Sequence, residues 1–353
     1  MKVQTNSKSL SFKEKYDLVL NIIYGILFIP TFIGIYFLYR DTEKFRNDLK
    51  LKNPSYKFPE FSDLKPVLLF FPIILIIKVI SESSLMNISY KIMKKKYKDP
   101  NDEVNYLLGK IYEKKLPVHI FKLSYYTFIT LFAYFILVQV DYFPKTLLGH
   151  GYMPNMFLKG YPDSYYHIKP NLFDLHYFIC LSYFCCDFIY LLFIYERQND
   201  FYTMILHHIC TISLIIFSYI TNYSNIGSIV LIIHNVSDAF IHLSRTLIQT
   251  DCHEFFKNTS AVSLVIFFIY IRIYVFGDVI YTIWHYITWD WGWVTFSLWG
   301  FLTFLYLMHL NWAFMLLSKI ITRVLGIEIT DITNYNDTLK KQMDAIHKKE
   351  KNN

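Results

Sequence analysis

The sequence predicts an all-α polytopic membrane protein, in which a bundle of six spans at about residues 119–323 follows two N-terminal hydrophobic spans. Three observations lead to this prediction. Of the 353 residues, 54% are hydrophobic, and Phe and Tyr are abundant. The apolar residues gather into runs of about 20, the length that an α-helix needs to cross a bilayer. Charged residues lie between these runs. A soluble domain of this length would not carry so many long apolar runs. We therefore expect seven or eight spans in total.

The candidate spans follow one another along the chain, and segments rich in charge, Pro or Gly separate them. The second span is the weakest, because Lys78 and Glu82 interrupt it, and a tilted or interfacial segment is an alternative there. In chain order the eight runs are 18–39, 66–86, 121–142, 172–195, 202–220, 226–247, 260–284 and 294–320.

The distribution of Lys and Arg predicts the orientation in the membrane. The loops after spans four and six carry Arg197, Arg245 and Lys257, whereas the loops after spans five and seven carry neither residue type. Because cytosolic loops are enriched in Lys and Arg, both termini are expected in the cytosol. The predicted organisation is a cytosolic tail at 1–17, two spans with a basic loop at 18–118, the six-span domain at 119–323 and a cytosolic tail at 324–353.

The segment 40–65 does not fit this orientation. It would be luminal, yet five Lys and Arg residues fall within it. The topology of the first two spans is therefore left open by the sequence. The basic residues concerned are Lys44, Arg46, Lys50, Lys52 and Lys57.

Composition also limits the class of protein and its compartment. The net charge of +7 needs no nucleic-acid partner, because basic segments beside a membrane meet anionic lipid; a basic rim would also suit an anionic substrate. The five cysteines form no C-x-x-C pair and indicate neither a disulfide framework nor a zinc site. No removable signal peptide is expected. The ending "KEKNN" places Lys349 and Lys351 in a dilysine-like pattern typical of retrieval to the endoplasmic reticulum.

A polar stripe runs along span five. Since helical residues advance by ~100° each, Asp200, His207, Thr211 and Ser218 fall on one face, with His208 beside it. Lipid does not solvate such groups, so this face is expected to contact protein or a cavity.

Span six repeats the pattern with His234, Asp238 and Arg245 on one face, and His242 one turn beyond Asp238. Span seven carries Tyr274, Asp278, Tyr281 and His285 along one face, with Arg272 turned away from it. Spans four and eight add single groups, which are Asp187 and His309.

Isolated polar groups in spans usually pack or bond to a neighbouring helix, and Asp187 and Asp278 could simply pair with Arg272 or a tyrosine. Several ionisable groups near the middle of two adjacent helices are harder to explain by packing. We therefore favour function for His207, His208, His234 and Asp238. A metal ion shared by His207, His234 and Asp238 is a further alternative, but the histidine spacing matches no known metal-binding motif, and no metal is predicted.

The stretch "DFYTMILHHICTISLIIFSYITNYSNIGSIVLIIHNVSDAFIHLSR" at 200–245 closely resembles the signature region of the longevity-assurance ceramide synthases, which belong to the TLC-domain membrane proteins. The shared pattern is an Asp-Phe, the His-His pair, an "FSY–NY" segment, a Gly and an "LxxHxxSD" helix. "GYP" at 160–162, "MHLNWAFMLL" in the last span and "FPIILIIKVISES" in the second also resemble family segments. The resemblance covers about 64–323 and implies a TLC-type six-span bundle.

The resemblance implies N-acylation of a sphingoid base by a fatty acyl-CoA, at a site formed by His207, His208, His234 and Asp238. No cofactor is implied beyond acyl-CoA as co-substrate. The expected partners are these two substrates and membrane lipids, with an accessory subunit or a second copy of the chain as candidates. The family usually has Asp immediately after the third histidine, where this chain has Asn235. The residues expected to bind substrate are Asp200, Thr211, Asn235, Arg272, Asp278 and His309.

The residue types suit this chemistry independently of the resemblance. A sphingoid base is cationic in water, and a histidine with a pKa near ~6.5 can remove the proton that blocks the amine. An imidazole can instead accept the acyl group and pass it on. Two rival hypotheses remain: a non-catalytic TLC protein that binds or senses lipid or assists membrane-protein biogenesis, and a transporter or proton relay that uses the same polar stripe.

Overall fold

The computed structural model of the chain describes residues 12–52, 54, 58–97, 103–157, 169–195, 200–250, 252–287 and 292–324. Four of the sequence features noted above lie outside the described residues: Lys57, the "GYP" segment at 160–162, Arg197, and the lysine pair Lys349 and Lys351.

The described residues are almost entirely helical, and the only β-pairing within them is one isolated bridge between Pro144 and Gly151. Short 3₁₀ turns lie at Phe61–Leu64, Lys145–Leu147 and Met153–Met156. The long elements are α1 (Phe12–Lys52), α2 (Pro66–Lys96), α3 (Glu103–Leu137), α4 (Phe173–Phe193), α5 (Phe201–Ile220), α6 (Ser224–Gln249), α7 (Glu254–Phe268), a π-helical segment (Ile269–Val275), α8 (Phe276–Tyr286) and α9 (Trp293–Val324).

Seven segments in the described part of the chain are long and apolar enough to cross a membrane. The prediction of an all-α polytopic membrane protein with seven or eight spans is thus confirmed. The predicted first span lies within α1 and is not one of the seven, although some side chains of α1 are outside the described residues. The seven are Phe61–Lys96, Gly109–Leu137, Phe173–Phe193, Phe201–Ile220, Ser224–Gln249, Glu254–Tyr286 and Trp293–Ile321.

The interrupted second run is one continuous helix, and its mean hydropathy of 2.2 is the highest of the seven segments. Lys78 is fully buried against the protein, and its ammonium lies 2.9 Å from the Glu82 carboxylate. Because these two charges turn inward, the lipid-facing side of α2 stays apolar. A tilted or interfacial segment is therefore not needed to explain α2.

The third run is part of a longer helix than predicted. Its polar start, "EVNYLLGKIYEKK", continues α3 toward the N-terminus beyond the apolar residues. The hydropathy pattern marked only the part that contacts hydrocarbon, whereas backbone hydrogen bonds extend the helix into the polar region.

One end of the bundle collects basic residues, and we call it the basic end. There α2 ends in Lys94, Lys95 and Lys96. The Lys96 ammonium donates to the carbonyl oxygens of Ile248, Gln249 and Thr250 at 3.2, 3.2 and 3.3 Å. The last carbonyl groups of a helix lack hydrogen-bond donors within the helix. Lys96 supplies a donor to them and so joins the end of α2 to the end of α6.

The anomalous basic segment 40–65 lies at the opposite end, largely within α1. Its charges are partly neutralised: Arg46 is buried and lies 2.9 Å from Glu43 and 3.6 Å from Glu60, and Lys50 lies 2.8 Å from Glu60. The hydrogen bond from the Lys50 ammonium lowers the pKa of Glu60. A count of Lys and Arg overstates the free positive charge of this segment.

Helix α5 occupies the centre of the bundle. It packs against α1, α4, α6 and α9. Of its most apolar stretch, 78% of the residues are buried inside the protein, compared with 6% for the segment that contains α2. The polar stripe of α5 therefore faces protein, as the sequence predicted.

Candidate active site

A π-helical segment interrupts the helix that forms predicted span seven. Residues Ile269–Val275 lie between α7 and α8, and Arg272 is at the middle of this segment. A π-turn accommodates one extra residue per turn, and such turns are frequent at functional sites. Arg272 was predicted to turn away from the face that carries Tyr274 and Asp278, and its side chain is buried inside the bundle.

Arg272 contacts two helices through four hydrogen bonds. Its guanidinium donates to the Asp238 carboxylate at 2.5 Å, to the His234 carbonyl oxygen at 3.2 Å, to the Ser237 hydroxyl and to His309 Nε2 at 2.7 Å. Guanidinium groups only donate hydrogen bonds. Arg272 therefore ties α6 to α9 and leaves Asp238 paired within the bundle.

Three histidines gather beside this arginine, and we call His207, His234 and His309 the histidine cluster. The ring centroids are 6.4 Å apart for His207 and His234, 6.2 Å for His207 and His309, and 5.0 Å for His234 and His309. Trp312 covers His207, with ring centroids 5.3 Å apart. The three rings come from α5, α6 and α9, and all are buried.

Hydrogen bonds determine the proton positions on two of these rings. His234 Nδ1 lies 2.7 Å from the Val230 carbonyl oxygen, which can only accept, so Nδ1 carries the hydrogen. Its Nε2 has no partner among the described residues. His309 Nε2 accepts from Arg272, so its hydrogen lies on Nδ1, which is also unpartnered there. The cluster thus offers one acceptor lone pair and one N–H donor side by side.

His208 points to a different side of α5. Its Nε2 lies 3.7 Å from Asp187 Oδ2 on α4, and the same carboxylate oxygen accepts from Lys122 of α3 at 2.7 Å. The rings of His207 and His208 remain 5.8 Å apart. The adjacent histidines therefore connect the histidine cluster to a second group of charges.

This second group continues toward the basic end. The Tyr195 hydroxyl donates to Asp187 Oδ1 at 3.4 Å and accepts from Lys78 at 2.7 Å. Lys78 in turn lies 2.9 Å from Glu82 and over the Tyr190 ring. Because unpaired charges are costly at this depth, the pairing explains how two lysines remain in apolar helices.

A narrow cavity extends from the histidine cluster toward the opposite end of the bundle. His234 and Thr211 lie at one end, and apolar residues form most of the rest. From Ile226 to His234 along α6 the cavity covers eight residues, which corresponds to about 12 Å of helix. Its far end is formed by Tyr223, Ile287, Thr295 and Trp299.

The other residues predicted to bind substrate differ in whether they lie near the cavity and the histidine cluster. Thr211 lines the cavity, and its hydroxyl is buried without a partner among the described residues. Asp200 precedes the first turn of α5, about two turns before His207. Asn235 faces α4, where its amide donates to Cys180 Sγ at 3.8 Å. Asp278, in α8, takes part in none of the contacts of the histidine cluster described above.

Two other predicted stripes have separate surroundings. His242 pairs with His119 of α3, with 3.2 Å between the Nδ1 atoms, and does not reach the histidine cluster. On α8 and the π-helical segment, Tyr274 and Tyr281 are 60% and 63% exposed, so this face of the helix turns toward lipid.

Sequence reasoning missed Lys122, Tyr195 and Lys78 as parts of the site and treated Asp187 as an isolated group. Asp187 is preceded by "YFCC" and lies in no recognised motif. The signal available was a carboxylate in one span and a lysine in another, both without partners on their own helices. Which of the possible pairs forms depends on the packing of α3 against α4.

Comparison with known proteins places the chain in a family. A model of the TLC domain matches residues 115–318, which is more than half of the chain. The chain therefore belongs to the TLC-domain family of membrane proteins.

Its similar relatives include ceramide synthases from two animals and a plant. Identity is 28% over 159 residues with ceramide synthase hyl-1 of Caenorhabditis elegans, covering 44% of this chain and 38% of the relative. It is 29% over 145 residues with human ceramide synthase 5, covering 40% and 36%. It is 38% over 87 residues with ceramide synthase LOH2 of Arabidopsis thaliana, covering 23% and 29%. The chain thus matches less than half the length of each of these relatives.

Proposed function

We propose that this protein is a ceramide synthase, which transfers the acyl group of a fatty acyl-CoA to the amine of a sphingoid base in the endoplasmic-reticulum membrane. Membership of the TLC-domain family and the printed names of the relatives support this proposal. The observation that carries it is the meeting of an apolar cavity with a cluster of buried histidines.

The cavity suits the acyl chain of the donor. An apolar wall of about 12 Å shelters hydrocarbon, and the polar end at His234 and Thr211 lies where the thioester would end. Water excluded from this site would otherwise hydrolyse an activated acyl group. The coenzyme head would remain at the basic end, where lysines attract its phosphates.

The side chains around the histidine cluster provide groups that amide formation requires. The reaction forms a C–N bond, breaks the thioester C–S bond and releases coenzyme A as the thiol. The amine must first lose a proton, and an imidazole lone pair can take it; an imidazole can also receive the acyl group and transfer it to the amine. His309 Nδ1–H is a donor that could stabilise negative charge on the carbonyl oxygen. The Asp238 carboxylate pairs with the Arg272 guanidinium and neutralises its charge.

The test is an amide-forming assay on the purified full chain with palmitoyl-CoA and sphinganine, followed by mass spectrometry of the product. We expect His207→Ala and His208→Ala each to reduce turnover by at least about 100-fold, the range typical for loss of an acid–base group. The matched control is His150→Ala, because His150 is exposed in the loop after α3.

Size-exclusion chromatography would check that each variant is folded. Full product formation in both histidine variants would contradict the catalytic assignment. Lipid binding by a wild-type protein that forms no amide would instead favour a non-catalytic TLC protein.

A further inference from the structure

A series of polar groups leads from His208 toward the basic end of the bundle, and we call it the ionic chain. Its members are His208, Asp187, Tyr195, Lys78 and Glu82. The successive separations are 3.7 Å, 3.4 Å, 2.7 Å and 2.9 Å. The chain crosses from α5 through α4 to α2, and Tyr195 lies just after the end of α4.

The last member of the ionic chain is more exposed than the members nearest the histidine cluster. The side chains of His208, Asp187 and Lys78 are 5%, 6% and 1% exposed, whereas that of Glu82 is 19% exposed. Its inner end is therefore enclosed by protein, and its outer end is partly exposed. Each of the five groups can carry a proton, and the last three pairs lie within hydrogen-bond distance, whereas His208 and Asp187 are slightly farther apart.

The proposed reaction requires a path by which a proton can leave the site. A sphingoid base arrives as an ammonium ion, and the products are a neutral amide and the neutral thiol of coenzyme A. One proton per turnover must consequently leave a site from which water is excluded. An imidazole that has taken this proton cannot act again until it loses it.

We propose, as an extension of the proposed function, that the ionic chain releases this proton and that Asp187 positions His208 as the group that takes it. Glu82 accepts a proton from the Lys78 ammonium and releases it to water on the side of the bundle that leads to the basic end. The neutral Lys78 amine takes the proton of the Tyr195 hydroxyl, and Tyr195 is reprotonated from Asp187. Asp187 has received its proton from the His208 imidazolium, so every group regains its initial state and one proton has moved outward.

The charges facing His208 are compatible with this role. Asp187 of α4 attracts an imidazolium, whereas Lys122 of α3 repels one. His207 adjoins it on α5, and Asp238 of α6 is already paired with Arg272. No lone carboxylate in the described part of the site competes with Asp187 for His208.

A purely structural role makes a different prediction. If the ionic chain only braces α2, α4 and α5, then replacing a buried ion pair by apolar residues of similar size leaves the fold intact, and any loss of activity is the same at every pH. If the chain moves protons, the same replacement removes the carriers and slows turnover.

The experiment uses the full-length protein with palmitoyl-CoA and sphinganine, and compares two variants with wild type. Tyr195→Phe removes one hydroxyl, and the double variant Lys78→Met with Glu82→Leu removes a whole ion pair. We expect kcat near pH 6.5 to fall by about 10- to 100-fold in each, with little change in KM. The matched control is Asp174→Asn, which breaks the 2.8 Å Lys169–Asp174 pair at the opposite end and lies outside the ionic chain.

The dependence on pH separates proton release from bracing. As pH rises toward the pKa of the amine, more substrate arrives neutral, and a neutral amine requires no net proton release. The deficit of both variants should therefore shrink steadily up to pH 9, while the Asp174→Asn protein follows wild type throughout. A long-chain O-alkylhydroxylamine, which is neutral at pH 7, should restore both variants to near wild-type turnover.

Three results would overturn the inference. Wild-type kcat in both variants at pH 6.5 would show that the ionic chain carries no proton. A deficit that stays constant with pH would show that it only braces the helices. A folded wild-type protein that forms no amide would remove the proposed function, and with it the reason for the path.

Discussion

Gly227 of α6 lies against a tyrosine of α4 and a serine of α5. A Cβ atom at this position would lie 1.7 Å from the Tyr177 hydroxyl oxygen and 2.7 Å from Ser218 Oγ. The Tyr177 hydroxyl is itself 3.1 Å from Ser218 Oγ and donates to the Ser224 carbonyl oxygen at 3.3 Å. Only a residue without a side chain fits beside this hydrogen-bonded pair.

We expect Gly227→Ala to destabilise the protein by about 1–3 kcal/mol, because the extra methyl group overpacks the site. Thermal unfolding in detergent, followed by tryptophan fluorescence, would measure it. Adding Tyr177→Phe should recover part of the loss, since the nearest atom is then removed. Gly300→Ala is the control: no atom lies within 4 Å of its Cβ position, so stability should stay equal or rise. Equal melting temperatures for Gly227→Ala and wild type would contradict the close approach.

At the scale of the element, the π-helical segment determines how the seventh span contributes to the site. In a regular α-helix, successive side chains keep a 100° spacing, and Arg272 would keep a fixed direction relative to Phe268 and Phe276. The wider turn at Ile269–Val275 changes that spacing locally. Arg272 can then reach Asp238 and His309, while Tyr274 faces lipid.

Helix α9 closes the far end of the cavity with Trp299, whose ring lies 4.8 Å from that of Trp284. We expect Trp299→Ala to lengthen the apolar space and to shift the products toward longer acyl groups. A change of about tenfold in the ratio of longer to shorter products is expected, since one methylene in an apolar pocket is worth roughly this much. Mass spectrometry after incubation with mixed acyl-CoAs would measure the ratio.

Trp293→Ala provides the comparison for this prediction, because Trp293 is 71% exposed and does not line the cavity. It should leave the product ratio at the wild-type value. The same ratio in both variants would show that the acyl chain does not reach Trp299.

At the scale of the whole molecule, the two ends of the bundle differ in charge. The basic end carries the lysines of α2, and the ionic chain leads toward it, whereas the cavity points toward the other end. A charged coenzyme head and an acyl chain would be separated along the same axis. This separation requires the basic end to face the cytosol, where acyl-CoA is available.

The orientation can be tested by labelling cysteines in sealed membrane vesicles whose cytosolic face is outward. In a Cys252→Ser background, Lys94→Cys at the basic end should react with a membrane-impermeant maleimide. Lys145→Cys, in the exposed loop after α3, should react only after the vesicles are permeabilised, because positive residues gather on the cytosolic side. The reverse labelling pattern would invert the orientation and exclude the proposed route for coenzyme A.

Much of the fold could be predicted because hydrophobicity is a local property. A run of about 20 apolar residues must become a helix in lipid, since each backbone polar group has to be satisfied within it. The spans at α4, α5 and α6 were accordingly predicted to within a few residues of their observed ends. The ends of α3 were not, because a helix that leaves the bilayer keeps its hydrogen bonds without keeping its apolar composition.

The residues of the candidate site divide in the same way. By itself, the sequence determined that four polar residues lie in membrane spans and face protein; they are His207, His208, His234 and Asp238. Helical periodicity places polar groups on one face of each span, and exposing that face to lipid would cost too much free energy. Only the tertiary structure decided that His207 joins His234 and His309, whereas His208 pairs with Asp187. Adjacent residues point about 100° apart on a helix, so the partner that each one meets depends on which helices pack against α5, and no local pattern in the chain records that choice.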